Sequence, residues 1–231
     1  MIKIYGKNCV YEAIRSGHKI KNIYALEDTK DKSFVSMVRD KKLNLIMLPK
    51  RDMDKMFGPS HQGYGAEAFD YEYSDLSIAL ENKEKRRIFI ALDELSDPHN
   101  LGAIIRSCDA FSIDGIILPK NRSVGITETV AHVSTGAIEY VPIIMVNNLT
   151  TAILKLKESG YWIVGTDAQA SSTAADIDKS LDLVVVIGSE GFGISRLVSR
   201  ECDFMIKIPM TGHVNSLNAS VSAGIIISEL I

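Results

Sequence analysis

Residues that could contact a phosphate or a developing negative charge follow the apolar run IFIAL (residues 88–92). In the stretch DELSDPHNLGAIIRSCDAF, Asn100 lies near the start of a predicted helix and Arg106 lies six residues later. An amide and a guanidinium directly after a buried strand suit contact with an oxyanion or a phosphate. In the alternative, Asn100 caps the helix and Arg106 forms a surface ion pair.

A glycine-rich loop, GSEGFGIS, follows a second apolar run, LVVVIG. Its glycines, Gly188, Gly191 and Gly193, let a backbone approach a ligand closely or adopt positive φ. The order G-x-x-G-x-G differs from the G-x-G-x-x-G of dinucleotide-binding folds. Glu190, inside the loop, is placed to bind a polar ligand group or to act as a carboxylate at a helix N-terminus. A plain tight turn explains the glycines equally well.

A third polar set, Ser216-Leu217-Asn218, opens the last predicted helix after the run FMIKIP, and Ser220 lies in its first turn. Small residues over 219–224 give this helix a close-packing face. A capped helix packed on a sheet is the plain alternative.

Six short apolar runs must position these polar sets: IFIAL, GIILP, VPIIMV, YWIVGT, LVVVIG and FMIKIP. Helices are predicted between most of them, near residues 99–111, 127–137, 148–158 and 194–200, and from about 217 to the C-terminus. Continuous apolar strands alternating with helices indicate an α/β fold with a mostly parallel sheet. In such sheets ligands bind beyond the carboxyl ends of the strands, where the three polar sets lie.

The first 72 residues are predicted to form a separate small α/β domain. A helix from Asn8 to Arg15 ends at Gly17, and IKNIYAL, a charged stretch and LNLIML are predicted as strand, helix and strand. We predict a turn at Pro49, a loop over MFGPSHQGYG (residues 56–65) and then AEAFDYEY as a strand. Charge and composition change over residues 73–87, which are predicted to be a linker, and residues 88–231 form the second domain.

Composition excludes several classes of protein. The chain has 231 residues, 46% of them hydrophobic, and a formal net charge of -3, unlike a disordered, coiled-coil or collagen-like chain. It has no apolar run of roughly 18 residues for a membrane helix, and its N-terminus lacks the apolar core of a signal peptide. Its three cysteines are far apart, so we expect no metal site and no disulfide framework, and a cytoplasmic location.

The charge is distributed unevenly along the chain. Residues 1–55 carry 13 Lys and Arg against 7 Asp and Glu, whereas residues 88–231 carry 9 against 16. A basic first part suits a phosphate backbone, and a solvated lysine-rich surface is the alternative.

Together the three polar sets resemble the motifs of the SpoU family of RNA ribose 2'-O-methyltransferases. The motifs occur in order as Asn100…Arg106, Gly188-x-Glu190-Gly191-x-Gly193, and Ile208-Pro209-Met210 followed by Ser216-Leu217-Asn218-x-Ser220. The first segment, with its His61-Gln62-Gly63 loop, resembles the RNA-binding substrate domain of two-domain members. The whole chain is most similar to the branch that methylates a guanosine of 23S rRNA.

The resemblance implies a C-terminal parallel-sheet methyltransferase domain with a trefoil knot, and a homodimer through that domain without metal or membrane. It implies S-adenosylmethionine as cofactor, held by Thr166, Gly188, Ile208, Met210 and Leu217. It assigns catalysis to Arg106, Asn100, Glu190, Ser216 and Asn218, and RNA binding to His61, Gln62 and Gly63.

The chemistry limits what Arg106 can do. A ribose 2'-hydroxyl must attack the methyl group of a sulfonium ion in line, so the protein mainly positions the reactants and helps to remove a proton. A guanidinium keeps its own protons in proteins. We therefore expect Arg106 to clamp the adjacent phosphate and polarise the hydroxyl, while phosphate or water takes the proton.

Three other functions compete with rRNA methylation. The same fold could act on tRNA, although a separate RNA-binding domain favours rRNA. A non-catalytic RNA-binding assembly factor would not need Asn100, Arg106 and Glu190 together. A nicotinamide oxidoreductase would need a different glycine order and a ribose-binding acidic residue that the sequence lacks.

Overall fold

A computed structural model describes residues 1–81, 85–189, 191–214 and 216–231. Its contacts divide the chain into two compact units. Unit 1 consists of Met1–Glu72 and Ile126–Tyr140, and unit 2 of Tyr73–Gly125 and Val141–Ile231.

The strands and helices follow one another along the chain as β1 (Ile2–Tyr5), α1 (Lys7–Ser16), β2 (Ile20–Leu26), α2 (Lys32–Asp40), β3 (Leu45–Leu48), α3 (Lys50–Phe57), β4 (Tyr64–Ala68), α4 (Ser77–Leu80), β5 (Ile88–Leu92), α5 (Pro98–Ala110), β6 (Gly115–Pro119), α6 (Glu128–Val133), β7 (Ile143–Val146), α7 (Leu149–Glu158), β8 (Trp162–Thr166), β9 (Leu183–Ile187), α8 (Arg196–Glu201), β10 (Phe204–Ile206) and α9 (Ala219–Leu230).

Unit 1 contains a four-stranded mixed sheet in the order β1-β4-β2-β3, in which β2 and β3 are parallel and β4 is antiparallel to β1 and β2. The helix predicted from Asn8 begins earlier, at Lys7, and ends as predicted at Gly17, which adopts the left-handed conformation. The charged stretch predicted as a helix is α2, and Asp31 caps it by accepting a hydrogen bond from the Phe34 N–H at 3.1 Å.

Two elements of unit 1 differ from the prediction. Where a turn is predicted at Pro49, the helix α3 begins directly afterwards, because Met53 and Phe57 lie one turn apart and both are buried. The strand predicted over AEAFDYEY is instead β4, which begins two residues earlier and ends at Ala68. Strand β1 was not predicted, since four residues with only two buried side chains give little periodic signal.

Unit 2 contains a six-stranded, fully parallel sheet in the order β10-β8-β9-β5-β6-β7. The six predicted strands are confirmed, as is the α/β class. Every residue of the central strands β5 and β9 is buried, which explains why their sequences are continuously apolar. Helices α5 and α9 pack together.

Two segments belong to different units from those that the sequence predicts. Residues 126–140, predicted within the second domain, belong to unit 1, where the His132 ring stacks on Tyr5 at 4.2 Å and Cys9 Sγ approaches the Ala131 carbonyl oxygen at 3.6 Å. The local sequence does not reveal this packing, because the partners are more than 120 residues away.

The described residues of the predicted linker are part of unit 2. The Ser74 N–H donates to the Ile143 carbonyl oxygen at 2.8 Å, which attaches residue 74 to β7. The buried guanidinium of Arg87 donates to the carbonyl oxygens of Ile78 at 2.6 Å and Glu81 at 2.9 Å and so covers the end of α4. Residues 82–84 of the predicted linker lie outside the described residues. Within the described parts of the chain, no helix is both long and apolar enough to span a membrane.

Candidate functional site

A cavity of about 380 Å³ opens at the carboxyl ends of β8, β9 and β10 and extends to the first turns of α9. This is the edge of a parallel sheet at which ligands bind. The walls are formed by strand-end backbone, small residues and apolar side chains. The lining includes all five residues predicted to bind the cofactor, together with Ser216: Thr166, Gly188, Ile208, Met210, Leu217 and Ser216.

The glycine loop forms one wall of this cavity. The Ser189 N–H donates to the Gly193 carbonyl oxygen at 3.1 Å, and the Gly193 N–H donates back to Ser189 at 3.0 Å. A Cβ atom at Gly188 would overlap the Gly193 carbonyl group and the Ile194 nitrogen, so only glycine fits there. Gly191 and Gly193 have φ of 87° and 68°, which favours glycine at both positions. The glycines are therefore required by the shape of the wall.

The other walls are held together by hydrogen bonds to main-chain carbonyl oxygens at the strand ends. Thr166 Oγ1 donates to the Val186 carbonyl oxygen at 3.1 Å, and the Asp167 N–H donates to the Ile206 carbonyl oxygen at 2.9 Å. These bonds connect the ends of β8, β9 and β10 around the cavity. Walls of this kind suit a flat heterocycle, which backbone groups and shape can recognise.

Asn100 and Asn218 meet beside the cavity. Asn218 Nδ2 donates to Asn100 Oδ1 at 2.9 Å, and Asn100 is only 4% exposed. The same Asn218 side chain caps α9, because its Oδ1 accepts hydrogen bonds from the Ser220 N–H at 2.9 Å and the Val221 N–H at 3.3 Å. With its oxygen used by the cap, the Asn218 amide must present its NH₂ group to Asn100. Asn218 therefore both caps α9 and bonds to Asn100.

Arg106 lies apart from this pair. It is exposed on α5, about 120° around the helix from Asn100. Ser107 lies on the side of α5 that approaches α9, near Gly224. Among the described residues, no carboxylate forms an ion pair with Arg106, so its guanidinium is open to solvent. The predicted catalytic residue Glu190 lies outside the described residues.

The cysteine thiols of unit 2 are not nucleophiles at neutral pH. Burial raises the pKa of the Cys108 thiol well above its usual range. Burial, with the charge of Asp203, raises the pKa of Cys202 to about 12. Both therefore stay protonated. No group of three His, Cys, Asp or Glu side chains in the described residues is placed to hold a metal ion.

Asp93 is a residue of this region that the sequence reasoning missed. It directly follows β5, and its carboxylate accepts a hydrogen bond from the Ser195 N–H at 2.7 Å, at the end of the glycine loop. The signal for it in the sequence is a carboxylate directly after a continuously apolar strand.

The His61-Gln62-Gly63 loop of unit 1 is organised by a buried histidine. The Gly63 N–H donates to His61 Nδ1 at 2.8 Å, so Nε2 carries the proton and donates to Asp54 at 3.0 Å. The Gln62 side chain is exposed, and its Oε1 accepts the Lys7 N–H at 2.9 Å at the start of α1. His61 therefore supports the loop from within.

The surface of unit 1 carries half of the 26 basic residues of the chain. Twelve of the thirteen Lys and Arg residues within positions 1–55 are exposed, and Lys3 is half-buried. Exposed cations without a covering element suit a polyanionic partner.

A second histidine of unit 1, His18, has a side chain that is only 8% exposed and is bonded through both ring nitrogens. Nδ1 lies 3.1 Å from a carboxylate oxygen of Glu139, and Nε2 lies 2.8 Å from the Phe69 carbonyl oxygen. Tyr71 and Ser16 also donate to Glu139. Because both ring nitrogens face acceptors, only the protonated imidazolium satisfies both contacts.

The two parts of the chain match two family models. Residues 87–228 match the SpoU rRNA Methylase family, and residues 3–74 match the family described as RNA 2'-O ribose methyltransferase substrate binding. A Staphylococcus aureus (strain COL) protein named as a TrmH family tRNA/rRNA methyltransferase is 46% identical over 98% of this chain and 94% of its own length. YacO of Bacillus subtilis (strain 168), with the same family name, is 43% identical over the same shares.

Solved structures give the same picture of the fold. The SpoU methyltransferase AviRb from Streptomyces viridochromogenes matches with a TM-score of 0.85 over 99% of this chain and 88% of that chain. The same protein in complex with the cofactor AdoMet matches with a TM-score of 0.83. Since AviRb is 22% identical to this chain, the likeness concerns the fold alone.

Proposed function

The chain belongs to the SpoU rRNA methylase family, and on that premise we propose that this S-adenosylmethionine-dependent RNA methyltransferase acts on a ribose 2'-hydroxyl, at a guanosine of 23S rRNA. The observation that carries the proposal is the convergence of three distant stretches at one edge of the parallel sheet. Residues near 166, 188 and 208 line one cavity, and Asn100 is bonded to Asn218 beside it.

The cavity suits the cofactor. Its volume of about 380 Å³ lies within the roughly 300–1,000 Å³ of small-molecule sites. When bound, S-adenosylmethionine supplies an electrophilic methyl group on a sulfonium ion. Backbone around Gly188 would face the adenine, and Ile208 and Leu217 would cover it with apolar surface. Thr166 and Met210 complete the proposed set.

The proposed catalytic residues divide the work of positioning. Arg106, exposed and without an ion pair to a described carboxylate, is available to clamp a backbone phosphate and polarise the 2'-hydroxyl. The Asn100–Asn218 hydrogen bond fixes the start of α9, and Ser216 lines the cavity two residues earlier. Together with Glu190 these residues would orient the ribose, while phosphate or water accepts the proton.

Unit 1 is proposed to dock the RNA. Its exposed cations would neutralise phosphates, and the His61-Gln62-Gly63 loop would contact the RNA through exposed Gln62, with buried His61 holding the loop in shape. His61 is only 3% exposed, so its side chain does not reach a partner and its task is to support the loop.

We also propose the trefoil knot and a homodimer through unit 2 in the cytoplasm, where ribosomal RNA is found. The small residues Ala219 and Ala223 of α9 are buried within unit 2, so they are not available to contact a second chain. Val221 of the same helix is 49% exposed, and this outward face of α9 supports the proposed association of two chains. Sedimentation at micromolar concentration should give the mass of two chains. The mass of one chain would reject the dimer.

The decisive experiment maps ribose 2'-O-methylation in 23S rRNA and in tRNA from cells with and without this protein. We expect one 23S rRNA guanosine to lose its methyl group. Loss of a tRNA methyl group instead would support tRNA as the substrate, consistent with the tRNA/rRNA names of the relatives. If neither RNA changes, and purified protein transfers no labelled methyl group, the chain is a non-catalytic RNA-binding factor.

A further inference from the structure

Asp93 bonds both ends of the glycine loop. Its backbone N–H donates to the Ile187 carbonyl oxygen at 2.9 Å, directly before the loop. Its carboxylate Oδ2 accepts the Ser195 N–H at 2.7 Å, directly after the loop. One residue therefore sets the distance between the two ends of residues 188–194, most of which line the cavity.

The environment of Asp93 is unusual for a carboxylate. The residue is 5% exposed, and within the described residues no Lys, Arg or His nitrogen lies within 4.0 Å of it. Burying a charge without a cation is costly, so the compensation must come from the hydrogen bonds that it accepts. An N–H donated to a carboxylate is among the stronger hydrogen bonds. The Ser195 contact is therefore a strong attachment of the loop to β5.

Asp114 provides the comparison within unit 2. Its carboxylate also accepts a backbone N–H, from Ile88 at 2.9 Å, but at the start of β5 and thus at the opposite edge of the sheet. Its charge is partly balanced by Lys85 at 3.7 Å. Asp114 has the same kind of bond to the main chain as Asp93, far from the cavity along the same strand.

We propose that Asp93 is a positioning residue for S-adenosylmethionine: by holding Ile187 and Ser195 together, it keeps the glycine loop in the shape that closes one wall of the cavity. Asp93 does not line the cavity itself and acts through the loop. The Ser189–Gly193 pair narrows the loop in the middle, and Asp93 closes it at the base. The inference rests on the proposed function in that S-adenosylmethionine is taken to occupy this cavity.

Asp93→Ala removes the carboxylate and leaves the main-chain bond to Ile187. We expect the Kd for S-adenosylmethionine, from calorimetry on the full chain, to rise at least about tenfold, because the partly buried Ser195 N–H loses its acceptor. The fraction of binding-competent protein should stay at the wild-type value. In steady state the KM for the cofactor should rise while kcat stays within about threefold. Asp93→Asn should restore most of the affinity, since an amide oxygen can accept the same N–H.

Ser195→Pro tests the same bond from its other end. Ser195 has φ of -60°, a value that proline adopts, and proline lacks the N–H. In the Asp93→Ala background, Ser195→Pro should cause no further loss of affinity, because the bond is already absent. Losses that add in the double variant would contradict a shared hydrogen bond.

Asp114→Ala is the matched control. It should lower Tm without changing the Kd for S-adenosylmethionine. A wild-type Kd in Asp93→Ala, or equal effects of Asp93→Ala and Asp114→Ala on Kd, would overturn the inference. Calorimetry needs no RNA, so this test is separate from the choice of substrate. A chain that binds the cofactor but methylates no ribose would reject only the proposed function.

Discussion

Asn218 and Asn100 are 118 residues apart in the chain, yet the Asn218 Nδ2 atom donates a 2.9 Å hydrogen bond to Asn100 Oδ1. The remaining polar atom of Asn218, Oδ1, caps α9. One side chain thus joins the start of α5 to the start of α9, and its donor and acceptor have separate tasks that substitution can distinguish.

Asn218→Asp should keep the helix cap and lose the contact. Aspartate is as good a cap as asparagine, but its carboxylate would place an acceptor against the acceptor Oδ1 of Asn100. We expect the rate of single-turnover methyl transfer by Asn218→Asp to fall at least about tenfold. Urea unfolding should show a smaller loss of stability for Asn218→Asp than for Asn218→Ala, because the alanine variant also loses a helix cap of about 1 kcal/mol. Equal activity of Asn218→Asp and wild type would remove the pair from the catalytic arrangement.

Arg106→Ala should abolish methyl transfer and leave S-adenosylmethionine affinity within a few-fold, because Arg106 does not line the cavity. Arg106→Lys should rescue little, since an ammonium does not reproduce a planar two-pronged contact with phosphate. The matched control is Arg200→Ala, at another exposed arginine of unit 2. The rate of single-turnover methyl transfer and the calorimetric Kd for S-adenosylmethionine, measured on the same samples, test this prediction. Normal transfer by Arg106→Ala would leave Arg106 as a surface cation.

Gly188→Ala should eliminate cofactor binding. The added Cβ would overlap the backbone of Gly193 and Ile194, which cannot move without opening the loop. Gly212→Ala is the control, because its Cβ would meet open space and its φ is not in the left-handed region. Calorimetry with S-adenosylmethionine should show no binding for the first variant and wild-type binding for the second. Wild-type affinity in Gly188→Ala would mean that the cofactor binds elsewhere.

The protonated form of His18 should stabilise the folded chain. Burial by itself lowers the pKa of His18, but the hydrogen bonds to Glu139 and to the Phe69 carbonyl oxygen, with the charge of Glu139, outweigh it and raise the pKa above its usual value. A raised folded-state pKa gives stability that is fully present below about pH 6.5, the unfolded value, and is lost as pH rises through the folded pKa.

Urea unfolding between pH 5 and 9 tests this prediction. The quantity compared is the free energy of unfolding of wild type minus that of His18→Gln at each pH. The difference should be largest at low pH and shrink as pH rises. His213→Gln, at an exposed histidine of unit 2, should retain the wild-type pH profile. A difference that grows with pH would show that the neutral form of His18 is the stabilising one.

Lysines of α3 should contribute to RNA binding. Lys50 and Lys55 are exposed on the helix whose Asp54 holds His61, so they flank the proposed contact loop. Each change to alanine should weaken RNA binding and lower the slope of log K against log salt by about one unit or less. Lys179→Ala, at an exposed lysine of unit 2, is the control. Deletion of residues 1–72 is a poorer test, because it would expose Val130 and Ala131, which are buried in unit 1.

The sequence by itself determined the main elements of unit 2 and, through a family resemblance, which residues are proposed for its site. Strands buried on both faces must be continuously apolar, so IFIAL and LVVVIG indicated β5 and β9 directly. The resemblance to the SpoU motifs, rather than spacing alone, pointed to the residues around 166, 188 and 208. Short or charged elements such as β1 and α3 were missed, because two buried residues leave no clear period.

Only the tertiary structure decided which of these residues meet. The strand order β10-β8-β9-β5-β6-β7 puts the ends of β8, β9 and β10 around one cavity, and strand order depends on pairing between distant segments rather than on local composition. The same long-range packing assigned residues 126–140 to unit 1 and buried His61. It also gave Asp93 a partner 102 residues away, which no spacing in the sequence reveals, because a hydrogen bond requires only that folding bring a donor and an acceptor together.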